Sequence, residues 1–273
     1  MTLSTTIRLT AAAVLLAGPA TAATEAELDA LFEAIGTPRL LEIMRVEGME
    51  QADEMAGDMF GDGAGSFAPL ASRIYDTDRM ARTFRVEFDA VLADADVGPL
   101  LDFFGSEQGQ RIVSLELSAR EALLSPDVEE AAEQAALTLI DEDPDRRALI
   151  EGFVDANDLI ELNVMGAMNA SVAYYQGLAD AGDMTLPERE LLAEVWAQEP
   201  DIRDDTTTWV FAYLGMAYEP LSDDDLRAYT ALAASREGRT LNRALFEGFD
   251  DVFNEISYLL GGATVRFGQS QEL

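Results

Sequence analysis

Leu241–Leu260 reads LNRALFEGFDDVFNEISYLL. Its large apolar residues Leu241, Leu245, Phe249, Val252, Ile256 and Leu259 are spaced 4, 4, 3, 4 and 3 apart. That averages the 3.6-residue repeat of one helical face, and no period-two alternation competes with it. The stretch predicts a long amphipathic helix near the end of the chain. The same punctuation recurs upstream. Thr24-x-x-Glu27 and Thr185-x-x-Glu188 read as capping boxes, in which hydroxyl and carboxylate each satisfy a free backbone N–H. Thr37-Pro38, Ser125-Pro126 and Asp143-Pro144 place a cap residue before a proline at the first helical position. Ser222 precedes Asp223, Asp224 and Asp225, where the helix dipole favours acids. Gly57 to Ser66 is the one stretch that reads as a loop. The expectation is an all-α bundle of about nine or ten helices with essentially no sheet.

The chain also echoes itself. Leu40-Leu41-Glu42-Ile43 resembles Leu159-Ile160-Glu161-Leu162 at an offset of 119, and Met49 falls on Met168. Ser106-Glu107-Gln108-Gly109-Gln110 resembles Ser235-Arg236-Glu237-Gly238-Arg239 at an offset of 129, with Phe103 on Leu232 and Phe84 on Tyr213. Two related helical halves, 23–124 and 146–273, are expected to pack together, joined by a helix over 125–145.

The clearest local phrase is Phe103-Phe104-Gly105-Ser106-Glu107-Gln108-Gly109-Gln110-Arg111. It reads as one helix ending near Gly105 and another capped by Ser106, with Gly109 leaving room for the preceding helix. The second copy keeps Ser235 and Gly238, but has Ala233 and Ala234 where the first has Phe104 and Gly105. This aromatic-x-x-Ser-x-x-Gly-(Gln/Lys/Arg) phrase resembles the bacterial domain-of-unknown-function 2059 family, in the long two-copy form found in alphaproteobacteria. The resemblance implies an exported, all-helical protein and brings no activity with it.

Composition narrows the chemistry. The 273 residues include no Cys, no His and no Lys, and 52 acids against 18 arginines give a formal charge of −34. Thiolate nucleophiles, Cys-ligated metal sites, His-based triads, Schiff bases and the P-loop lysine are all excluded. An acidic surface repels nucleic acid and anionic membranes. No cofactor is implied. Asp141-Glu142-Asp143-Pro144-Asp145 and Asp58-x-x-x-Asp62-Gly63 do not complete a calcium loop. Met1 to Ala22 reads as a cleavable leader: Arg8, an apolar stretch over Leu9 to Gly18, Pro19, then Ala20-Thr21-Ala22. Cleavage after Ala22 and a periplasmic or secreted location follow as expectations. Beyond the leader no segment has the ~20 apolar residues of a membrane span.

Four groups of residues are candidates for function. Glu42 and Glu161 sit at matching places inside apolar runs and are the only pair suited to carboxylate acid–base work; partly exposed acids paired with arginine are the simpler reading. Asn163, Met165, Met168 and Tyr175 mix polar and apolar groups as a ligand-lined helix would, against the plainer reading of a helix buried on most sides. Arg111 and Arg239 stand beside the two corners, where an anion could meet a helix N-terminus. Phe103, Ser106, Gly109, Ser235 and Gly238 form the motif. The expected function is an exported binding or envelope accessory protein that takes a protein partner or an apolar small molecule and catalyses nothing. The alternatives are a carboxylate-based hydrolase of a cell-wall or sugar polymer, and a purely structural helical protein.

Overall fold

The computed structural model describes residues 22–61, 67–182 and 187–271. Among them are twelve helices and no strand: α1 (Glu25–Ala34), α2 (Thr37–Phe60), α3 (Ala68–Ile74), α4 (Thr77–Leu92), α5 (Gly98–Phe104), α6 (Glu107–Ala122), α7 (Pro126–Glu142), α8 (Pro144–Ala156), α9 (Leu159–Ala181), α10 (Glu188–Tyr218), α11 (Asp223–Ala233) and α12 (Arg236–Gln271). The protein is an all-α bundle. The leader lies outside the described residues apart from Ala22, and so does Thr185. The stretch expected to be a loop from Gly57 is helical through Phe60.

The caps follow the sequence in most places. Thr24 and Ser222 form capping boxes with Glu27 and Asp225, and Asp143 accepts from the Arg146 amide. Ser125 precedes α7 without a side-chain cap bond. Thr37 departs from expectation: it is buried inside α2, and the cap position belongs to Gly36 at φ 74°. That left-handed conformation is open to glycine and turns the chain sharply from α1 into α2. Asp158, at φ 51°, makes the corresponding turn from α8 into α9. The two turns are 122 residues apart, so the register of the repeat here is three residues away from the 119 that sequence similarity suggests. Aligned on these turns, Glu161 matches Arg39 rather than Glu42.

Helices from opposite ends of the chain share cores. One core cluster joins Leu31, Leu41, Phe84, Phe88 and Leu100 of the first half to Leu241, Val252, Ile256 and Phe267 of α12. The other joins Ile112 and Ala119 of α6 to Phe153, Leu214, Tyr218 and Leu226 of the second half. Thus α12 packs along α4, and α6 packs along α10. Burial of these apolar faces is the main stabilising term.

Helix α9 runs between α10 on one side and α12 on the other. Its approach to α12 is backbone to backbone: a Cβ on Gly177 would lie 2.0 Å from the Tyr258 carbonyl oxygen, and one on Gly261 2.2 Å from that of Tyr174. Helix α10 continues through Pro200. Proline has no N–H, so the Trp196 carbonyl loses its intrahelical partner.

Candidate functional site

The two corners are built alike. The Ser106 hydroxyl donates to the Phe103 carbonyl at 2.6 Å and accepts from the Gly109 amide at 3.1 Å. Ser235 repeats this with the Leu232 carbonyl at 2.6 Å and the Gly238 amide at 2.9 Å. A Cβ on Gly109 would lie 2.1 Å from the Phe103 carbonyl oxygen, and one on Gly238 2.0 Å from that of Leu232. Both serines are helix caps and both glycines are clearances for the preceding helix. Arg111 donates to the Pro220 carbonyl at 2.6 Å, and Arg239 donates to the Ala234 carbonyl. One nitrogen of each guanidinium thus serves a backbone carbonyl just past the end of a helix.

The proposed carboxylate pair is not assembled. Glu42 is 59% exposed and bonds Arg39 at 2.8 Å on its own helix. Glu161 is 54% exposed, and both of its oxygens accept from Arg203 of α10, at 2.5 and 2.9 Å. The Arg203 hydrogen bonds hold the Glu161 carboxyl below its ordinary pKa. A carboxylate kept ionised in this way is unsuited to general acid work near neutrality. Beside Arg39 lies a shallow cleft of about 310 Å³ whose lining includes Glu33, Gln110, Ser114 and Glu121. The Arg39 guanidinium is already taken by Glu42 and Glu121.

The carboxyl with an unusual environment is Glu116 on α6. The residue is half-buried, with its carboxyl turned in among tyrosines of α10 and α11. The Tyr218 hydroxyl donates to Oε1 at 2.8 Å, and the Tyr229 side chain packs into the same cluster. The Tyr213 hydroxyl donates to the Glu116 backbone carbonyl at 3.3 Å. Burial pushes the carboxyl up to about 7, against the Tyr218 bond, which favours its ionised form. Burial, with the Glu116 charge, also raises Tyr213, Tyr218 and Tyr229. Aromatic packing surrounds the set: Phe103 stacks on Tyr229 at 5.6 Å, and Phe153 touches Tyr229 at 4.7 Å and Tyr218 at 5.3 Å. On the far side Trp209 stacks on Tyr213, with Arg120 over its ring at 4.7 Å and ion-paired to Glu47. Sequence reasoning missed Glu116, although a signal was there. Gly109, Ile112, Glu116, Ala119 and Leu123 form one helical stripe, and all but the glutamate are small or apolar.

Helix α9 is not buried on most sides. Its buried residues are Val164, Ala173 and Gly177. Neighbours at both flanks leave its two remaining faces open. Asn163 is exposed and bonds the Leu159 carbonyl of its own helix at 2.7 Å. Met165 is 57% exposed, while Met168, Val172 and Tyr175 are half-buried. Glu161, Met165, Met168, Val172 and Tyr175 share one stripe of α9. Leu192, Trp196, Glu199 and Arg203 share one stripe of α10. The Glu161–Arg203 ion pair puts both stripes on the same side of the helix pair. Leu192 is 39% exposed and Trp196 66%, so with Met165 they make a continuous apolar strip open to solvent.

Comparisons with protein-family models, curated proteins and solved structures give no match.

Proposed function

We propose that this is an exported accessory protein of the cell envelope that acts by binding a protein partner and not by catalysis. The observation that carries the reading is the strip of Met165, Leu192 and Trp196. Large apolar side chains exposed together on a highly charged protein mark an interaction surface. The strip is open, and an apolar small molecule would need most of its surface enclosed, so a protein face suits it better. The hydrolase reading draws no support from Glu42 and Glu161, each neutralised by arginine at the surface.

The test pairs the wild type with Trp196→Ala. Tagged protein is used to capture partners from envelope extract, with quantitative mass spectrometry of both samples. The reading expects at least one protein retained by the wild type and lost from the variant. Identical sets would refute it. Export is checked separately by N-terminal sequencing of the periplasmic fraction, which should begin Ala23-Thr24-Glu25; an intact Met1 in the cytosol would defeat the localisation.

A further inference from the structure

We infer that the strip on α9 and α10 receives the apolar face of a cationic amphipathic helix. This rests on the binding reading and names the class of partner. Leu192 to Arg203 spans about 16 Å along α10 at 1.5 Å per residue, three turns of a docked helix. The margin toward α12 carries the adjacent acids Asp250 and Asp251, while at the end of the α10 stripe Arg203 is neutralised by Glu161 and Glu199. Asn169, one turn beyond Met165, donates to Asp250 of α12 at 3.1 Å and so ties the strip to the acids of α12. Asp250 is followed by Asp251, which faces Asp250 and Glu87 of α4. Burial and these two like charges hold the Asp251 carboxyl above its ordinary pKa, as expected of anions crowded without a counter-ion. The charges crowded at the α12 margin are anions. The complementary partner carries leucine-like residues on one face and lysine or arginine beside them.

The other occupants fit less well. A second copy of the chain would bring another −34 charges against this face, and an anionic membrane would repel it in the same way.

The experiment uses two labelled peptides of one lysine–leucine composition, one patterned as an amphipathic helix and one scrambled. Each is titrated with the full chain by fluorescence anisotropy at low and high salt. The patterned peptide should bind at least about tenfold more tightly than the scrambled one, as expected when an aromatic anchor is engaged. Trp196→Ala combined with Met165→Ser should remove that preference. Both residues are exposed, and circular dichroism checks that the variant keeps its helices. Asp250→Asn with Asp251→Asn should weaken the patterned peptide and flatten its salt dependence. Equal binding of the two peptides would mean unspecific attraction to an acidic protein and overturns the proposal. So does a preference that survives loss of Trp196 and Met165, or a Trp196-dependent dimer in sedimentation. If the peptides show no preference while capture from extract still depends on Trp196, the cationic-helix class falls and the binding reading stands.

Discussion

Replacing Glu116 by Gln tests the tyrosine-bound carboxyl directly. Its pKa of about 7 in the folded protein stands against an ordinary 4.5. Over that interval the folded chain holds a proton that the unfolded chain has released. The favourable contribution is fully present below about 4.5, declines as pH rises, and is gone once pH passes about 7. At about 1.4 kcal/mol per pKa unit, the whole effect is about 3 kcal/mol. Above neutrality the ionised carboxylate in its tyrosine cage is a net cost. Glutamine is nearly isosteric, stays neutral, and keeps an oxygen for the Tyr218 hydroxyl.

Chemical denaturation at a series of pH values gives the two stability profiles. The wild type should lose about 3 kcal/mol relative to Glu116→Gln between pH 4.5 and pH 8, most of it before neutrality. The other acids, and the general repulsion at a charge of −34, titrate alike in both proteins and cancel in the difference. Profiles that run parallel across this range would show that Glu116 titrates as it does in the unfolded chain, and the account of its burial would be wrong.

Other perturbations address the rest of the frame. Ser106→Ala and Ser235→Ala should each cost about 0.5–2 kcal/mol, read as a lower denaturation midpoint; an unchanged midpoint removes the cap. Gly177→Val forces a side chain against the Tyr258 carbonyl and should cost more than about 1–3 kcal/mol, seen as a lower melting temperature or loss of folding. A neutral outcome there would mean that α9 and α12 are not in backbone contact. Added salt should raise the melting temperature at neutral pH by screening the excess acids, and a flat response up to molar salt would show the charge to be well dispersed.

What the sequence makes legible here is local. Thr24, Asp143, Ser222, Ser106 and Ser235 act within four residues of themselves, so their cap bonds follow from spacing alone. The 3.6-residue stripe of Leu241 to Leu259 is equally local, because any helix of that pattern has one face to bury. Register between distant segments is different. Matching Glu42 to Glu161 relied on four similar residues, and an amphipathic helix accepts a shift of three residues with little change in its apolar stripe. Aligning the left-handed turns at Gly36 and Asp158 would set Glu161 opposite Arg39 instead, and nothing in an aspartate's identity announces a positive φ. The exposure of Met165 and Trp196 was hidden for the opposite reason. Their pattern is that of core residues, and they stand in water because none of the described helices covers that face of the α9–α10 pair, a property of the whole arrangement.

The sharing of cores between opposite ends of the chain gives the Glu116 cluster a further role in specifying the fold. At the 129-residue offset that relates the corners, Glu116 corresponds to Leu245 and Tyr213 to Phe84. One interface, α12 on α4, has an aromatic centre there, with Phe84 4.7 Å from Phe249 and 5.1 Å from Phe88, and keeps its polar contacts, Thr83 and Arg79 to Glu255, beside it. The other, α6 on α10, is built from a carboxyl and tyrosine hydroxyls. The similarity of the two corners would relate α6 to α12, and α4 and α10 would then offer each of them a similar groove. An α6 seated on α4 would bring Glu116 against phenylalanine rings with no donor, at the full cost of an unsatisfied buried group. An α12 seated on α10 would leave the Tyr218 hydroxyl buried without its acceptor. Each wrong pairing loses hydrogen bonds that the right one makes, so the polar set selects the partner of α6 where apolar packing alone would discriminate poorly. Such a device is worth having where a repeated sequence must assemble in one order, and it accounts for a carboxyl kept in a place where leucine would be more stable at high pH.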